Sequence, residues 1–211
     1  VAVGQDALDG NTTGNYNVAV GSNALDGGGN ASSNTALGYG TLRGTVTGGS
    51  NTAVGESALL TNTSGSSNVA VGAGALDANT TASNNTAIGT SALTANTTGY
   101  NNTAVGKDAL YANTTGASNV ALGFQSSASG TTATDNIAIG QNALWRITTG
   151  SKNVGIGYGA LKYNQTGSNN TAVGYHAMNT TATTSGSDNS AFGYFALENV
   201  AANANSAFGM S

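Results

Sequence analysis

One five-residue phrase returns along the whole chain and constrains its fold more than any other feature. Its central copy is Asn102-Thr103-Ala104-Val105-Gly106, and the closing glycine recurs thirteen times. Ten of the twelve intervals between these glycines are 17 residues, and the last two are 19 and 16. A fixed period of this length is typical of a repeat protein, in which each unit contacts mainly its neighbours. We therefore predict a single repeat domain over residues 1–211 with about twelve coils, an excerpt of a longer chain because both ends fall within a repeat.

The phrase itself predicts a strand. Counting its asparagine as position zero, the repeat reads N-T/V-A-V/I/L-G-x-x-A-L-x-x-N-T-T-G-x-x before it begins again. Positions one and three share one face and alanine lies on the other, which is the period-two pattern of a short strand. We expect the larger pair, such as Thr103 and Val105, to face the core. The glycine at position four, Gly106, indicates a positive φ or a close approach to another backbone.

The rest of the repeat predicts a second strand and a turn. A second short strand is expected at positions seven to ten, beginning with Ala-Leu pairs such as Ala109-Leu110, with the leucine inward. The Asn-Thr-Thr-Gly segment, as at residues 113–116, favours a tight turn with side-chain to backbone bonding and a left-handed glycine. Such coils stack in parallel at about 4.8 Å, which gives a rod roughly 55–60 Å long. The position-zero asparagines, Asn102 among them, would then bond to one another as a ladder.

A 17-residue coil with one leucine and one or two valine-sized groups has a thin core. Apolar burial at roughly 25 cal/mol per Å² must offset the entropy of ordering the chain, and a single rod of this composition is marginal by that measure. We therefore predict an all-β, parallel β-solenoid of the β-roll kind that associates as a homotrimer, with alanine and glycine allowing close approach.

Composition argues against catalysis, cofactors and nucleic-acid binding. Charged residues make up 7% of the chain, against roughly 25% in an average protein, and the single histidine supports no catalytic constellation. Cysteine is absent, which excludes disulfides and thiolate zinc sites. Five scattered cations and a net charge of −4 do not suit phosphate binding. No apolar run reaches the roughly 18 residues that direct membrane insertion needs, so we predict a protein without enzymatic activity, cofactor, metal, nucleic-acid partner or membrane span.

Two copies of the phrase, NVAVGAGA at residues 68–75 and NIAIGQNA at residues 136–143, resemble the head repeats of trimeric autotransporter adhesins of the YadA type. Those repeats carry N/S-V-A-I-G-x-x-A/S, and similar units occur in bacteriophage tail fibres. The resemblance covers nearly the whole chain and implies a trimer of left-handed parallel β-rolls that binds host surface molecules. This chain departs from the family's shorter coil by extra residues around Asn-Thr-Thr-Gly.

From the resemblance we expect a non-catalytic adhesive fibre segment, either an adhesin head or a tail-fibre shaft, outside the cell on a bacterial surface or a virion. Its partners would be further copies of itself and a host-surface glycan or protein. Two alternatives stay open. One is an extracellular filament in which rods stack end to end, and the other is an ice-binding solenoid, suggested by the threonine column at position thirteen: Thr81, Thr98, Thr115 and Thr132.

Residues that break the repeat are the candidates for binding. Eight of the thirteen aromatic residues follow Gly140, and three tyrosines come directly after a repeat glycine, so they should form a column that binds sugars or packs on itself. That column is Tyr158, Tyr175 and Tyr194, with His176 and Phe195 beside it. Phe192 and Phe208 occupy position three and are expected in the core.

A basic and aromatic cluster is predicted on neighbouring coils. Trp145 and Arg146 replace small or polar residues, and Lys152, Lys162 and Tyr163 follow on the next coils. Such a cluster suits an anionic glycan or a carboxylate, or is a plain solvated face. Separately, Asp9, Asp26 and Arg43 share position nine on successive coils, where the arginine can offset the two acids.

Overall fold

The computed structural model describes residues 1–44, 46–179, 186–198 and 203–210. Within these ranges the chain is a parallel β-solenoid of about twelve coils, and each coil contributes one strand to a single sheet. The strands are β1 Ala2–Val3, β2 Val18–Val20, β3 Thr35–Leu37, β4 Thr52–Val54, β5 Val69–Val71, β6 Thr86–Ile88, β7 Thr103–Val105, β8 Val120–Leu122, β9 Ile137–Ile139, β10 Val154–Ile156, β11 Thr171–Val173, β12 Ser190–Phe192 and β13 Ser206–Phe208. The all-β parallel solenoid predicted from the period is confirmed.

Successive strands pair in register, so each side chain lies beside its equivalent in the next coil. The order in the sheet is the order in the chain, from β1 to β13. The 19-residue interval between Gly174 and Gly193 does not shift the register, because β11 and β12 still pair Ala172 with Ala191.

The strands face the opposite way from the expectation. Ala104 at position two is fully buried, whereas Thr103 and Val105 on either side are only half-buried. The expected core residues Phe192 and Phe208 are 37% and 78% exposed. The reason is the narrow interior. At Gly155, which replaces the alanine of β10, an added Cβ would already lie 3.3 Å from Cγ of the core Leu144, so the position has room for a methyl group and nothing larger.

The predicted second strand is a series of turns. Positions five to nine of the coils are turns, and Asp108 and Leu110 have φ of 57° and 51°. Residues in this left-handed region cannot continue a strand. The inward leucine is nevertheless confirmed, since Leu110 is 1% exposed and packs with the fully buried Ala109. The N–H of Leu110 donates to the Ser126 carbonyl at 3.0 Å, so bonding between coils continues without strand geometry.

The asparagine ladder at position zero is confirmed. The backbone N–H of Asn102 donates to Oδ1 of Asn85 at 2.9 Å. Oδ1 of Asn102 in turn accepts from the N–H and Nδ2 of Asn119 at 3.0 and 3.1 Å. Nδ2 of Asn102 donates to the Gly116 carbonyl at 2.9 Å. Each asparagine therefore bonds to the coil before it through its backbone N–H, and to its own coil and the next through its buried side chain.

A second asparagine ladder runs along position eleven and was not predicted. Nδ2 of Asn113 donates to Oδ1 of Asn96 at 2.8 Å and to the Gly116 carbonyl at 3.0 Å. Asn96 bonds in the same way to Asn79, at 3.1 Å. The ladder stops where Gly130 takes the place of asparagine, which leaves Oδ1 of Asn113 buried without a partner in the described part of the chain.

The two recurring glycines have different causes. Gly106 has φ of 132°, and a Cβ there would lie 2.5 Å from the Gly123 oxygen, so both expected reasons for glycine hold. Gly116 in the Asn-Thr-Thr-Gly turn is not left-handed, which corrects the expectation. A Cβ on it would lie 2.2 Å from the Ala133 oxygen, so close packing of coils excludes a side chain there. The left-handed residue near this turn is Ser118, with φ of 58°.

Candidate functional site

The outward side of the sheet is a continuous apolar strip, which we call the outer strand face. Its centre is the row of position-three side chains, of which Leu37 and Ile88 are 46% and 40% exposed. Threonine, valine, isoleucine or serine lies beside each of them at position one, and no charged residue occurs in either row. The position-three row is Val3, Val20, Leu37, Val54, Val71, Ile88, Val105, Leu122, Ile139, Ile156, Val173, Phe192 and Phe208.

The structure forms the predicted tyrosine column at position five. The ring centroids of Tyr158 and Tyr175 are 5.3 Å apart with planes 14° from parallel. Tyr175 and Tyr194 are also 5.3 Å apart, at 10°. Neighbouring rings therefore cover both faces of Tyr175, and the three tyrosines are 39% to 51% exposed.

His176 and Phe195 form a second stack against the tyrosines. Their rings are parallel within 10° at 5.3 Å, and His176 meets Tyr175 edge-on at 4.4 Å. The side chain of Asn179 contacts Nδ1 of His176. Burial, followed by the nearby Lys162, lowers the pKa of His176, while Glu198 and the Asn179 contact oppose that shift. The lowered pKa favours the uncharged imidazole as part of the ring stack.

The structure also brings together most of the predicted basic and aromatic cluster. Arg146 Cζ lies 5.1 Å from the Trp145 ring centroid and 5.5 Å from that of Tyr163. Lys162 Nζ lies 5.5 Å from Trp145 and 5.2 Å from Tyr163. Lys152 differs in placement, since it has φ of 59° in the turn that precedes β10 and stands at position sixteen. The four clustered residues form cation–π contacts with one another.

A surface pocket of about 360 Å³ lies beside Trp145. Besides Trp145 it is lined by Asp108, Tyr111, Gln125, Ala128 and Ser129. Tyr111, Ala128 and Trp145 occupy position nine of three successive coils, so the small alanine leaves a gap between two large aromatic side chains. Sequence reasoning singled out Trp145 alone of these residues.

One signal in the sequence could have located the pocket. In the coil from Asn119 to Asp135, the usual Ala-Leu-x-x-Asn is replaced by Ser126-Ser127-Ala128-Ser129-Gly130. This is the coil that forms the pocket floor and that also interrupts the second asparagine ladder. Its departures from the repeat at positions seven, eight and eleven are what separate it from its neighbours.

The remaining charged groups form few contacts. Arg43 Nε lies 3.8 Å from Oδ2 of Asp26, which confirms the predicted proximity at position nine. Burial raises the pKa of Asp77, which stands at the same position. Among the described residues no group of three His, Cys, Asp or Glu is placed to hold a metal ion. The same ranges contain no helix with the length and hydrophobicity to cross a membrane.

Comparison with protein-family models, with curated proteins and with solved structures finds no match for this chain.

Proposed function

We propose that this chain is a non-catalytic fibre segment whose copies associate as a homotrimer through the outer strand face, and that the rod serves attachment outside the cell, on a bacterial surface or a virion. The observation that carries the proposal is the apolar strip along all thirteen strands, which a single chain leaves half-exposed. The motif's resemblance to adhesin heads and tail fibres supplies the attachment role.

The strip has the properties of a surface that another copy covers. Leu37, Ile88 and Phe192 are each at least 37% exposed although they belong to one uninterrupted apolar row. Contiguous apolar patches beyond a few hundred Å² are rare on monomeric proteins and mark interaction sites. The row repeats at the strand spacing of about 4.8 Å, so the same row on a second and third copy matches it in period and in chemistry.

The distribution of side chains between the core and the surface also supports association. Alanine and leucine fill the coil, and the larger valine, isoleucine and phenylalanine side chains lie on the outer strand face. Association of three such faces buries these side chains and adds the apolar burial that a single thin rod lacks.

The test is the mass of the protein in solution, measured by sedimentation equilibrium or light scattering. The chain has a mass of 20.5 kDa, and we expect three times that value. The double variant Ile88→Asp, Leu122→Asp should reduce the mass to that of one chain, because association would bury two carboxylate charges per chain without partners. The matched control, Thr98→Asp with Thr115→Asp, places the same charges on exposed turn residues and should remain trimeric.

A monomeric wild-type rod would overturn the trimer. A mass that grows without limit with concentration would favour the end-to-end filament instead. The circular dichroism spectra of both double variants should match that of the wild type, which separates lost association from lost folding.

An ice-binding solenoid is a second candidate, favoured by one observation. Thr81, Thr98, Thr115 and Thr132 are exposed on four consecutive coils and form a regular column. The column is one residue wide, since the threonines at position twelve use their hydroxyls within the fold, as Thr97 does toward the Thr114 carbonyl at 3.0 Å. Thermal hysteresis of the purified protein decides this candidate, and its absence would remove it.

A further inference from the structure

We propose that the pocket between Tyr111 and Trp145 binds one uncharged pyranose ring of a saccharide. The pocket lies within a single chain and is defined by the lining residues Asp108, Gln125, Ala128 and Ser129 together with the two aromatic residues. The inference deepens the attachment role proposed above and rests on it for the biological source of the ligand.

The two aromatic residues are spaced for one ring between them. Tyr111 and Trp145 stand two coils apart at the same repeat position, with Ala128 between them. Two strand spacings are about 9.6 Å, which leaves roughly 4–5 Å on each side of a ring placed midway. Sugars present apolar C–H faces that pack on aromatic rings, and such sites combine aromatic walls with a few directional polar groups.

The polar groups of the pocket have unused hydrogen-bonding capacity. Within the ranges that the structure describes, the side chains of Gln125 and Ser129 make no hydrogen bond to the protein, and Asp108 bonds through Oδ2 only, to Lys107 Nζ at 3.2 Å. A carboxylate oxygen, an amide and a hydroxyl therefore supply both acceptors and donors, which is the mixture that vicinal sugar hydroxyls require.

The charges favour an uncharged sugar over an acidic one. Asp108 places a carboxylate in the wall, and a carboxylate-bearing sugar would meet it at close range. Arg146 and Lys162 touch Trp145 but do not line the pocket, and both already lie over the rings of Trp145 and Tyr163. The basic cluster therefore contacts the indole without lining the pocket.

The pocket is a better saccharide site than the tyrosine column. In the column, Tyr158 and Tyr194 cover both faces of Tyr175, so neither face of that central ring is left for stacking. At position nine the intervening Ala128 leaves the space open. The small residue, rather than the number of aromatic rings, creates the site.

Trp145 is the only tryptophan in the chain, so its fluorescence reports on the pocket directly. The full chain is titrated with the methyl pyranosides of glucose, galactose, mannose and N-acetylglucosamine, and with N-acetylneuraminic acid as the acidic comparison. We expect a saturable change in Trp145 emission with at least one uncharged pyranoside and weaker binding of the acidic sugar. Saturation-transfer NMR with the same sugars provides a measurement that does not depend on tryptophan.

Two variants test the location. Ala128→Leu fills the gap and leaves every other lining residue unchanged. Leucine already occurs at this repeat position in another coil, as Leu60. Trp145→Ala removes one wall. Each should weaken binding by NMR by roughly tenfold or more, the size of one aromatic stacking contact. The control Tyr175→Ala, in the column, should bind as the wild type does.

The outcomes separate this inference from the trimer. A trimer by mass that binds none of the uncharged pyranosides overturns the pocket and leaves the fibre proposal standing. A monomer that binds a pyranoside, with binding lost in Ala128→Leu, supports the pocket and overturns the trimer. Unchanged binding in Ala128→Leu, or tighter binding of the acidic sugar, overturns the site as proposed here.

Discussion

Each internal position-zero asparagine connects three coils, through its backbone N–H to the coil before it and through its buried side chain to its own coil and the next. The side chain of Asn102 accepts two hydrogen bonds from Asn119 and donates one to the Gly116 carbonyl at the far end of its own coil. Its backbone N–H donates to Oδ1 of Asn85. In water an amide of this kind would gain little, because solvent competes for every bond. In the interior the alternative is an unpaired group, so the ladder fixes the coils in register more than it adds net energy.

Replacing Asn102 with alanine should cost about 2–4 kcal/mol of the free energy of unfolding. The change removes the acceptor of the buried Asn119 N–H and the donor to the Gly116 carbonyl, and it leaves a small cavity. Denaturant unfolding followed by circular dichroism measures the loss. The control Thr115→Ala alters an exposed turn residue and should stay within about 0.5 kcal/mol. Equal losses in the two variants would contradict the structural role of the ladder.

The corner glycine and the ladder-breaking glycine should respond differently to the same substitution. Gly106→Ala places a Cβ 2.5 Å from the Gly123 oxygen at φ of 132° and should cost roughly 2–5 kcal/mol through strain and overpacking. Gly130 has no such φ, and its Cβ would meet nothing closer than Ser127 Oγ at 3.4 Å. Gly130→Ala should therefore be neutral or stabilise by about 0.4–1 kcal/mol. Similar melting temperatures for the two variants would show that Gly106 is not required.

At the scale of the element, the sequence predicted that a strand exists but not which side is inside. Alternation distinguishes two faces, and both faces here are apolar, so the larger side chains around Ala104 were expected to be the buried ones. The cross-section of the coil decides otherwise. A Cβ added at Gly155, position two of β10, would lie 3.3 Å from Cγ of Leu144, so nothing larger than alanine fits there and larger side chains such as Val105 face outward.

The turn region was misread for a related reason. The Ala109-Leu110 pair has one small and one large apolar side chain, as a short strand would. Leucine is also a residue type that rarely has a left-handed φ, such as the 51° of Leu110. Such a conformation costs about 1–2 kcal/mol per residue, and propensity argues against it. Full burial of the Leu110 side chain offsets that cost. The sequence predicted this burial but not the backbone conformation that accompanies it.

Of the two candidate sites, the sequence predicted one and missed the other. The tyrosine column was predictable because its members share one repeat position on neighbouring coils, and stacking in register brings them together. The pocket was not, because it depends on what Ala128 lacks and on side chains from three coils. A repeat sequence predicts columns readily, whereas the departure at residues 126–130 marks an unusual coil without showing which side chains border the gap.

At the scale of the molecule, the same alanine and leucine core recurs in most coils, and most of the variation lies on the surfaces of the rod. Alanine and leucine occupy the core from Ala19 to Ala196, with few exceptions such as Ile147 and Met178. The outer strand face varies among apolar residues, and charged or aromatic residues concentrate at positions five, six, nine and ten. Association and ligand binding can therefore lie on different sides of the rod, so that a variant can alter one without the other.

Removal of one whole coil tests whether the rod is a sum of interchangeable units. Deleting residues 85–101 joins Asn84 at position sixteen to Asn102 at position zero and preserves the pocket and both flanking strands, β5 and β7. We expect a folded protein whose denaturant m-value falls by about one twelfth, because each coil contacts mainly its neighbours. Deleting only residues 85–93 removes β6 and leaves a partial coil, so the asparagine ladder cannot close across it. That control should lose cooperative unfolding. If the full-coil deletion also lost cooperative unfolding, the coils would be individually adapted to their positions.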